Sequence, residues 1–136
     1  MALPQTVVLG GGGFVGRHIV ARLAAAGHRV IVPTRRREDA KHLIMLPTVD
    51  VLEADIHDAR ALESLFAGAS AVINLVGILN EDGASTFERA HVELPRKVVA
   101  ACHTAGVARL LHMSALGADP TGPSRYLKSK AAAEAV

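Results

Sequence analysis

The sequence predicts a doubly wound α/β domain, a parallel sheet covered by helices on both faces with its strands in the order 3-2-1-4-5. Three observations predict it. Strand-length apolar runs alternate with longer segments of helical period. A glycine cluster, Gly10-Gly11-Gly12-Gly13-Phe14-Val15-Gly16, falls between the first such run and the first helical segment. The chain has 136 residues, 50% hydrophobic and 21% charged, which suits one domain with a sizeable core. Right-handed crossovers between parallel strands are nearly obligatory, so successive βα units have little freedom in how they order themselves.

Thr6-Val7-Val8-Leu9 is uniformly apolar, as expected of a strand buried on both faces. The period then changes: Val15, Ile19 and Leu23 recur every four residues beside Gly16, Val20 and Ala24, and Gly27 stands where a helix would end. Arg29 to Pro33 reads as the second strand, Glu38 to Met45 as a short helix and Val49 to Glu53 as the third strand. Asp58 is placed to cap a helix from Ala59 to Phe66, and Ala71 to Leu75 reads as the fourth strand. Phe87 to Ala105 reads as one long helix ended by Gly106, with Pro95 predicting a kink, or an earlier break near Glu93. Leu110 to Met113 gives the fifth strand, left as an open edge that invites pairing with another copy, and Ser124 to Val136 begins another helix. With no strand after that helix, residues 1–136 read as the front part of a longer protein.

Composition excludes several classes. Fifteen Lys and Arg against thirteen Asp and Glu leave a net charge of +2, scattered except at Arg35-Arg36-Arg37, so no nucleic-acid footprint is visible. Phe14, Phe66, Phe87 and Tyr126 are too far apart in sequence to read as a base-stacking platform. The longest apolar stretch, Ala71 to Leu79, is interrupted by Asn74 and falls far short of the ~20 residues that cross a bilayer. Met1-Ala2-Leu3-Pro4-Gln5 has no basic residue ahead of the first apolar run, so no secretory signal is expected, and the single Cys102 fits a reducing, cytoplasmic compartment. The seven histidines show no metal-binding spacing, and His91-Val92-Glu93 lacks the Pro-Cys-x-x-Cys half of a zinc deaminase signature. Cys102, among alanines on the long helix, reads as core filler.

The placement of the glycine cluster between strand and helix is what a phosphate-cradling loop requires. Glycines let the backbone approach a pyrophosphate, and the following helix N-terminus offers it unpaired N–H groups and partial positive charge. Gly10, Gly12, Gly13, Phe14, Val15 and Gly16 are therefore the candidate dinucleotide-binding residues, with Gly16 letting the helix lie close to the strand. A P-loop is excluded, because Arg17-His18 stand where it needs Lys followed by Ser or Thr. At the end of the second strand, where an acid would hold the ribose 2′-hydroxyl of NAD, the chain has Pro33-Thr34-Arg35-Arg36-Arg37. Thr34 can donate a hydrogen bond, and Arg35 or Arg36 can pair with a 2′-phosphate, so NADP(H) is favoured and NAD(H) is the alternative.

The Gly10-x-x-Gly13-x-x-Gly16 spacing, Asp55 after the third strand, Asn74-Leu75-Val76-Gly77 at the fourth, and Ser114 with Tyr126-x-x-x-Lys130 together resemble the short-chain dehydrogenase/reductase superfamily. The similarity is to its extended and atypical, NAD(P)-dependent epimerase/dehydratase-like branches, and spans nearly the whole chain. The stretch from Met113 through Asp119 into Tyr126-Leu127-Lys128-Ser129-Lys130 looks most like the subgroup that includes the accessory NADPH-binding subunit of respiratory complex I. The resemblance implies a Rossmann domain over residues 1–136 in which Asp55 and Ile56 contact the adenine, Val76 and Gly77 line the cofactor ribose, and Lys130 bonds the nicotinamide ribose. Two positions depart from the family: Leu9 stands where active relatives usually have Thr, and His91 where they have a helical Asn that maintains a proton relay. A histidine can itself titrate and relay protons. Independently of the family, Gly10, Thr34, Asp55, Val76 and Ser114 all fall at the carboxyl ends of the expected strands, the edge where open α/β sheets bind ligands.

Tyr126 and Lys130 are four apart on an expected helix, so they share a face. With one tyrosine and only four lysines in the chain, a chance pairing at that spacing is improbable. A phenol is a poor base at neutral pH, but a neighbouring ammonium and the positive nicotinamide favour its phenolate. Tyr126 is then the candidate to exchange a proton with a substrate oxygen during hydride transfer, Ser114 to hold that oxygen, and Lys130 to orient the ribose and tune the tyrosine. Two functions fit: an oxidoreductase or epimerase/dehydratase-like enzyme using Ser114, Tyr126 and Lys130 on an unidentified small molecule, or a structural or sensing protein that binds NADPH without turnover in association with a respiratory complex.

Overall fold

The computed structural model describes residues 3–136; Met1 and Ala2, part of the stretch read for a secretory signal, lie outside the described residues. Five parallel strands, β1 (Gln5–Leu9), β2 (Arg29–Thr34), β3 (Val49–Glu53), β4 (Ala71–Asn74) and β5 (Arg109–His112), form one sheet in the order β3-β2-β1-β4-β5. This is the doubly wound topology expected. Helices α2 (Ala59–Phe66) and α3 (Leu94–Ala105) cover one face, where Leu62, Phe66, Leu94 and Val98 pack on Val7, Leu9, Ile31 and Val72. Helix α1 (Phe14–Ala25) and a 3₁₀ segment (Arg37–Leu43) cover the other, packing Val20, Ala40 and Leu43 on Val8, Val30, Val32 and Val51. Each buried Val, Leu, Ile or Phe side chain contributes about 1.5–3 kcal/mol by leaving water, so the two layers hold the strand ends in fixed register. Helix α4 (Arg125–Glu134) starts at Ser124, whose Oγ accepts the Leu127 N–H at 3.1 Å.

Two segments differ from the sequence expectation. The short helix expected from Glu38 to Met45 is a 3₁₀ segment that kinks at Ala40 (φ −120°, ψ 19°), where the buried Ala40 Cβ comes close to Gly12. The long helix expected from Phe87 opens into a π-turn over Arg89–Glu93 before α3 begins. Pro95 has no N–H to give the His91 carbonyl, and its ring would clash with that carbonyl in a regular α-turn; widening the preceding turn removes both conflicts. The Leu94 N–H bonds the Arg89 carbonyl instead.

Candidate functional site

The site grows from the turn between β1 and α1. Gly10 has φ 79°, and a Cβ there would lie 3.1 Å from the Leu75 carbonyl carbon, so a glycine is needed for both conformation and space. A Cβ on Gly16 would lie 2.7 Å from Gly11 Cα and closer still to the Gly10 carbonyl oxygen. The first turn of α1 is thus pressed onto the loop, with Gly13 as N-cap, no side chain capping the helix and no acid in its first turn. Its N–H groups are left for an anion. The side chains of Phe14 and Val15, by contrast, are exposed and line a separate apolar groove on α1 with Ile19 and Leu23, so only their backbone can serve the loop. Gly12 packs on Ala40.

Beside the loop lies a cleft of about 450 Å³ at the carboxyl ends of β1 to β4. Gly10, Thr34, Arg35, Asp55, Ile56 and Val76, all singled out in the sequence, line it. Thr34, expected as a donor, already gives its hydroxyl hydrogen to the Arg36 carbonyl at 3.0 Å, and so meets a ligand only as an acceptor. Asp55 closes the turn after β3 by accepting the His57 N–H at 2.9 Å. Among the described residues Arg35 has no anionic partner, whereas Arg36 pairs with Asp39 at 3.6 Å and points to solvent. Of the two arginines offered for a 2′-phosphate, only Arg35 lines the cleft. His57, Ile78, Ser85 and Arg89 also line it and were not anticipated from the sequence. Arg89 reaches it because the π-turn rotates that residue inward, a register that no helical period could have announced. Burial holds the His57 imidazole below its ordinary range, and Arg89 adds to the effect against the opposing pull of Asp55.

A second cluster lies where β4, β5, the π-turn and α4 meet. Lys130 is buried and donates to the Met113 carbonyl at 2.9 Å; burial pushes its ammonium below the usual lysine range, with Glu134 opposing. Ser114, the next residue after Met113, has its Oγ buried with no hydrogen-bond partner among the described residues. A buried hydroxyl left unpaired costs stability and marks a place where a ligand atom can complete the network. The Tyr126 ring packs edge-on against His91 (centroids 5.4 Å apart) and Phe87 (5.9 Å). A Cβ on Gly77 would lie 3.4 Å from His91 Nε2 and 3.8 Å from Lys130 Nζ, so Gly77, His91 and Lys130 adjoin. Val76 and Gly77 join this cluster to the cleft. The β4 turn is braced by Asn74, buried, whose Oδ1 accepts the Val76 N–H at 3.2 Å.

His91 differs from the titrating relay that its ring chemistry suggested. It is 1% exposed, and burial, then the charges of Lys130 and His112, lower its pKa to about 4. It is neutral at physiological pH. Cys102, as expected, is buried in the core against α2 and the sheet, and burial raises its thiol pKa.

The cleft, the glycine turn and the Ser114, Tyr126 and Lys130 cluster all lie toward the carboxyl edge of the sheet. The sequence model of the NAD dependent epimerase/dehydratase family matches residues 6–132. The chain is 38% identical over 132 residues to an Arabidopsis thaliana protein, NADH dehydrogenase (ubiquinone) 1 alpha subcomplex subunit 9, mitochondrial, covering 93% of this chain and 33% of that protein. It is 34% identical to the ceramide reductase of Caulobacter vibrioides, covering 93% and 39%. The chain spans about a third of the length of the curated relatives it matches. Among solved structures, an Agrobacterium tumefaciens uronate dehydrogenase variant complexed with NAD superimposes with TM-score 0.77 at 21% identity, over 98% of this chain and 54% of that one. A Bacillus halodurans structure described as an NAD-dependent epimerase/dehydratase superimposes with TM-score 0.83 at 23% identity, over 97% and 63%.

Proposed function

Because the chain belongs to the NAD dependent epimerase/dehydratase family, we propose that it binds a nicotinamide dinucleotide, NADP(H) in preference to NAD(H), and serves an oxidoreductase. The observation that carries this reading is the glycine turn. Its tight packing through Gly16, its uncapped helix N-terminus and the adjoining cleft, whose Arg35 has no anionic partner among the described residues, suit a pyrophosphate followed by a phosphorylated ribose. The orphaned Ser114 hydroxyl at the far end is a second feature that a bound ligand would complete.

In this reading Gly10 to Gly16 hold the diphosphate by main-chain amides, Arg35 the 2′-phosphate, Asp55 and Ile56 the adenine, Val76 and Gly77 the riboses, and Lys130 the nicotinamide ribose. The nicotinamide, when bound, supplies or accepts a hydride. Tyr126 moves a proton to or from the substrate oxygen, Ser114 holds that oxygen by a hydrogen bond, and Lys130 places a positive charge beside both. Phe87 and His91, stacked on each other, pack beside the Tyr126 ring.

A second reading rests on the 38% identity to a subunit of a mitochondrial NADH dehydrogenase: the nucleotide is bound for structural or sensing purposes in a respiratory assembly and nothing is turned over. Titration of the full chain with NADPH and NADH tests the shared premise, with tighter NADPH binding expected; folded protein that binds neither refutes both readings. Oxidation of bound NADPH by members of a carbonyl panel then favours the enzyme, and its persistence across the panel favours the second reading.

A further inference from the structure

The His91 ring sits in a directed hydrogen-bond chain. The Ile78 N–H donates to His91 Nε2 at 2.9 Å, His91 Nδ1 lies 2.8 Å from Ser129 Oγ, and Ser129 Oγ donates to the Tyr126 carbonyl at 2.7 Å. The directions are fixed. Nε2 accepts an amide hydrogen, so the ring proton is on Nδ1; the Ser129 hydrogen is committed to Tyr126, so Ser129 Oγ accepts from Nδ1–H. Every group in the chain has its partner, and moving the ring proton to Nε2 would strand the Ile78 amide.

The ends of this chain are the two pieces of backbone that flank the second cluster. Ile78 follows Gly77 in the turn after β4, and Ser129 sits on α4 between Tyr126 and Lys130. The π-turn carries His91 into the gap between them: its ring lies against Gly77 on one side and edge-on to Tyr126 on the other.

We propose that His91 and Ser129 are a positioning pair, which locks the turn of α4 bearing Tyr126 and Lys130 to the loop after β4 and so sets the nicotinamide end of the site without exchanging a proton. This rests on the nucleotide-binding reading above. The pair acts through placement of Lys130 and Tyr126, so its loss should be felt at the nicotinamide half of a dinucleotide and not at the adenosine half, which is held some distance along the sheet edge by Arg35, Asp55 and Ile56.

The test compares NADPH with 2′,5′-ADP, which carries only the adenosine half, on the full chain in wild-type, Ser129→Ala, His91→Phe and His91→Gln forms. Ser129→Ala and His91→Phe should lose about tenfold in NADPH affinity, the equivalent of one good hydrogen bond, and less than about twofold in 2′,5′-ADP affinity. His91→Gln, whose amide accepts and donates as the neutral ring does, should recover NADPH binding to within about threefold. Ring ¹⁵N shifts of wild-type His91 should report the Nδ1–H tautomer at neutral pH. If both ligands weaken together, or neither does, in soluble and folded Ser129→Ala, the pair has no such role. Failure of the wild-type chain to bind either ligand would instead overturn the nucleotide reading, and the pair's role with it.

Discussion

Lys130 Nζ donates to the Met113 carbonyl across 2.9 Å, which ties α4 to the end of β5 and sets a buried ammonium beside Ser114. Desolvation depresses its folded pKa below the ordinary 10.5, so the unfolded chain holds that proton more tightly. Wild-type stability should therefore rise with pH through the alkaline window below 10.5, a rise that Lys130→Met lacks. At pH 7 the variant should be within about 1 kcal/mol of wild type, because methionine replaces a costly buried charge, yet bind NADPH at least tenfold more weakly. Denaturant unfolding at pH 7 and 10 checks the first part. A wild type that gains nothing over the variant at the higher pH would refute it.

The neutral His91 gives a second pH dependence of the same sign. Its pKa of about 4 lies below the ordinary 6.5, so its contribution is complete above pH 6.5 and is lost as pH falls through about 4. The loss is on the order of 3 kcal/mol. The charged and titratable groups facing it, Lys130 on α4 and His112 on β5, both oppose its protonation. Unfolding free energies measured between pH 6.5 and 4 should fall for wild type and fall less for His91→Gln, with a residual slope from His57 and His112, whose pKa values burial also lowers. Identical slopes for the two proteins would count against a buried, neutral ring.

Two glycines of the site should respond differently to a methyl group. Gly16→Ala puts Cβ 2.7 Å from Gly11 Cα, backbone against backbone, so α1 must move off the loop. It should cost about 1–3 kcal/mol and abolish nucleotide binding. Gly77→Ala meets His91 Nε2 at 3.4 Å and Lys130 Nζ at 3.8 Å, ordinary contacts, and stability should stay within about 0.5 kcal/mol of wild type. Thermal melts of the pair decide it; a Gly16→Ala protein as stable as Gly77→Ala would contradict the packing described here.

The strand order and the glycine turn were legible in the sequence because both are written in local pattern: uniform apolar runs in Val7 to Leu9 and Val30 to Val32, a change of period at Gly13, and glycines where side chains cannot fit. Pro95 even announced trouble in the long helix. What it could not announce was the form that the trouble takes. A π-turn shifts the facing of Arg89 and His91 relative to α3, so Arg89 in the cleft and His91 against Tyr126 follow from a rotation absent from any 3.6-residue period. Likewise, Arg35 and Arg36 look equivalent in sequence. The extended backbone at Arg36 (φ −132°, ψ 125°) separates their directions and hands Arg36 to Asp39.

That separation makes cofactor preference testable residue by residue. Arg35→Ala should weaken NADPH by about 10- to 100-fold, the worth of a charge-assisted hydrogen bond, and NADH by little. Arg36→Ala should change neither by more than about threefold, since its guanidinium is exposed and engaged with Asp39. Calorimetric titration of both nucleotides on both variants measures this directly. Equal losses of NADPH and NADH in Arg35→Ala would remove the basis for an NADP(H) preference.

Ser114 separates function from stability most cleanly. Its Oγ is buried, and no group among the described residues pairs with it, so the folded chain carries the desolvation cost of that hydroxyl. If that hydroxyl exists to hold a substrate oxygen, Ser114→Ala should unfold at the same denaturant concentration as wild type or a higher one, because removing an unsatisfied polar atom relieves the fold. The same variant should lose about 10²- to 10³-fold in kcat for any carbonyl compound the wild type reduces, as expected when a donor to a developing oxyanion is deleted. Tyr126→Phe should lose at least as much, since it removes the proton itself. A Ser114→Ala protein that is markedly destabilised would mean that the hydroxyl has a structural partner. One that turns over substrate as well as wild type would remove Ser114 from the reaction and leave Tyr126 and Lys130 to act alone.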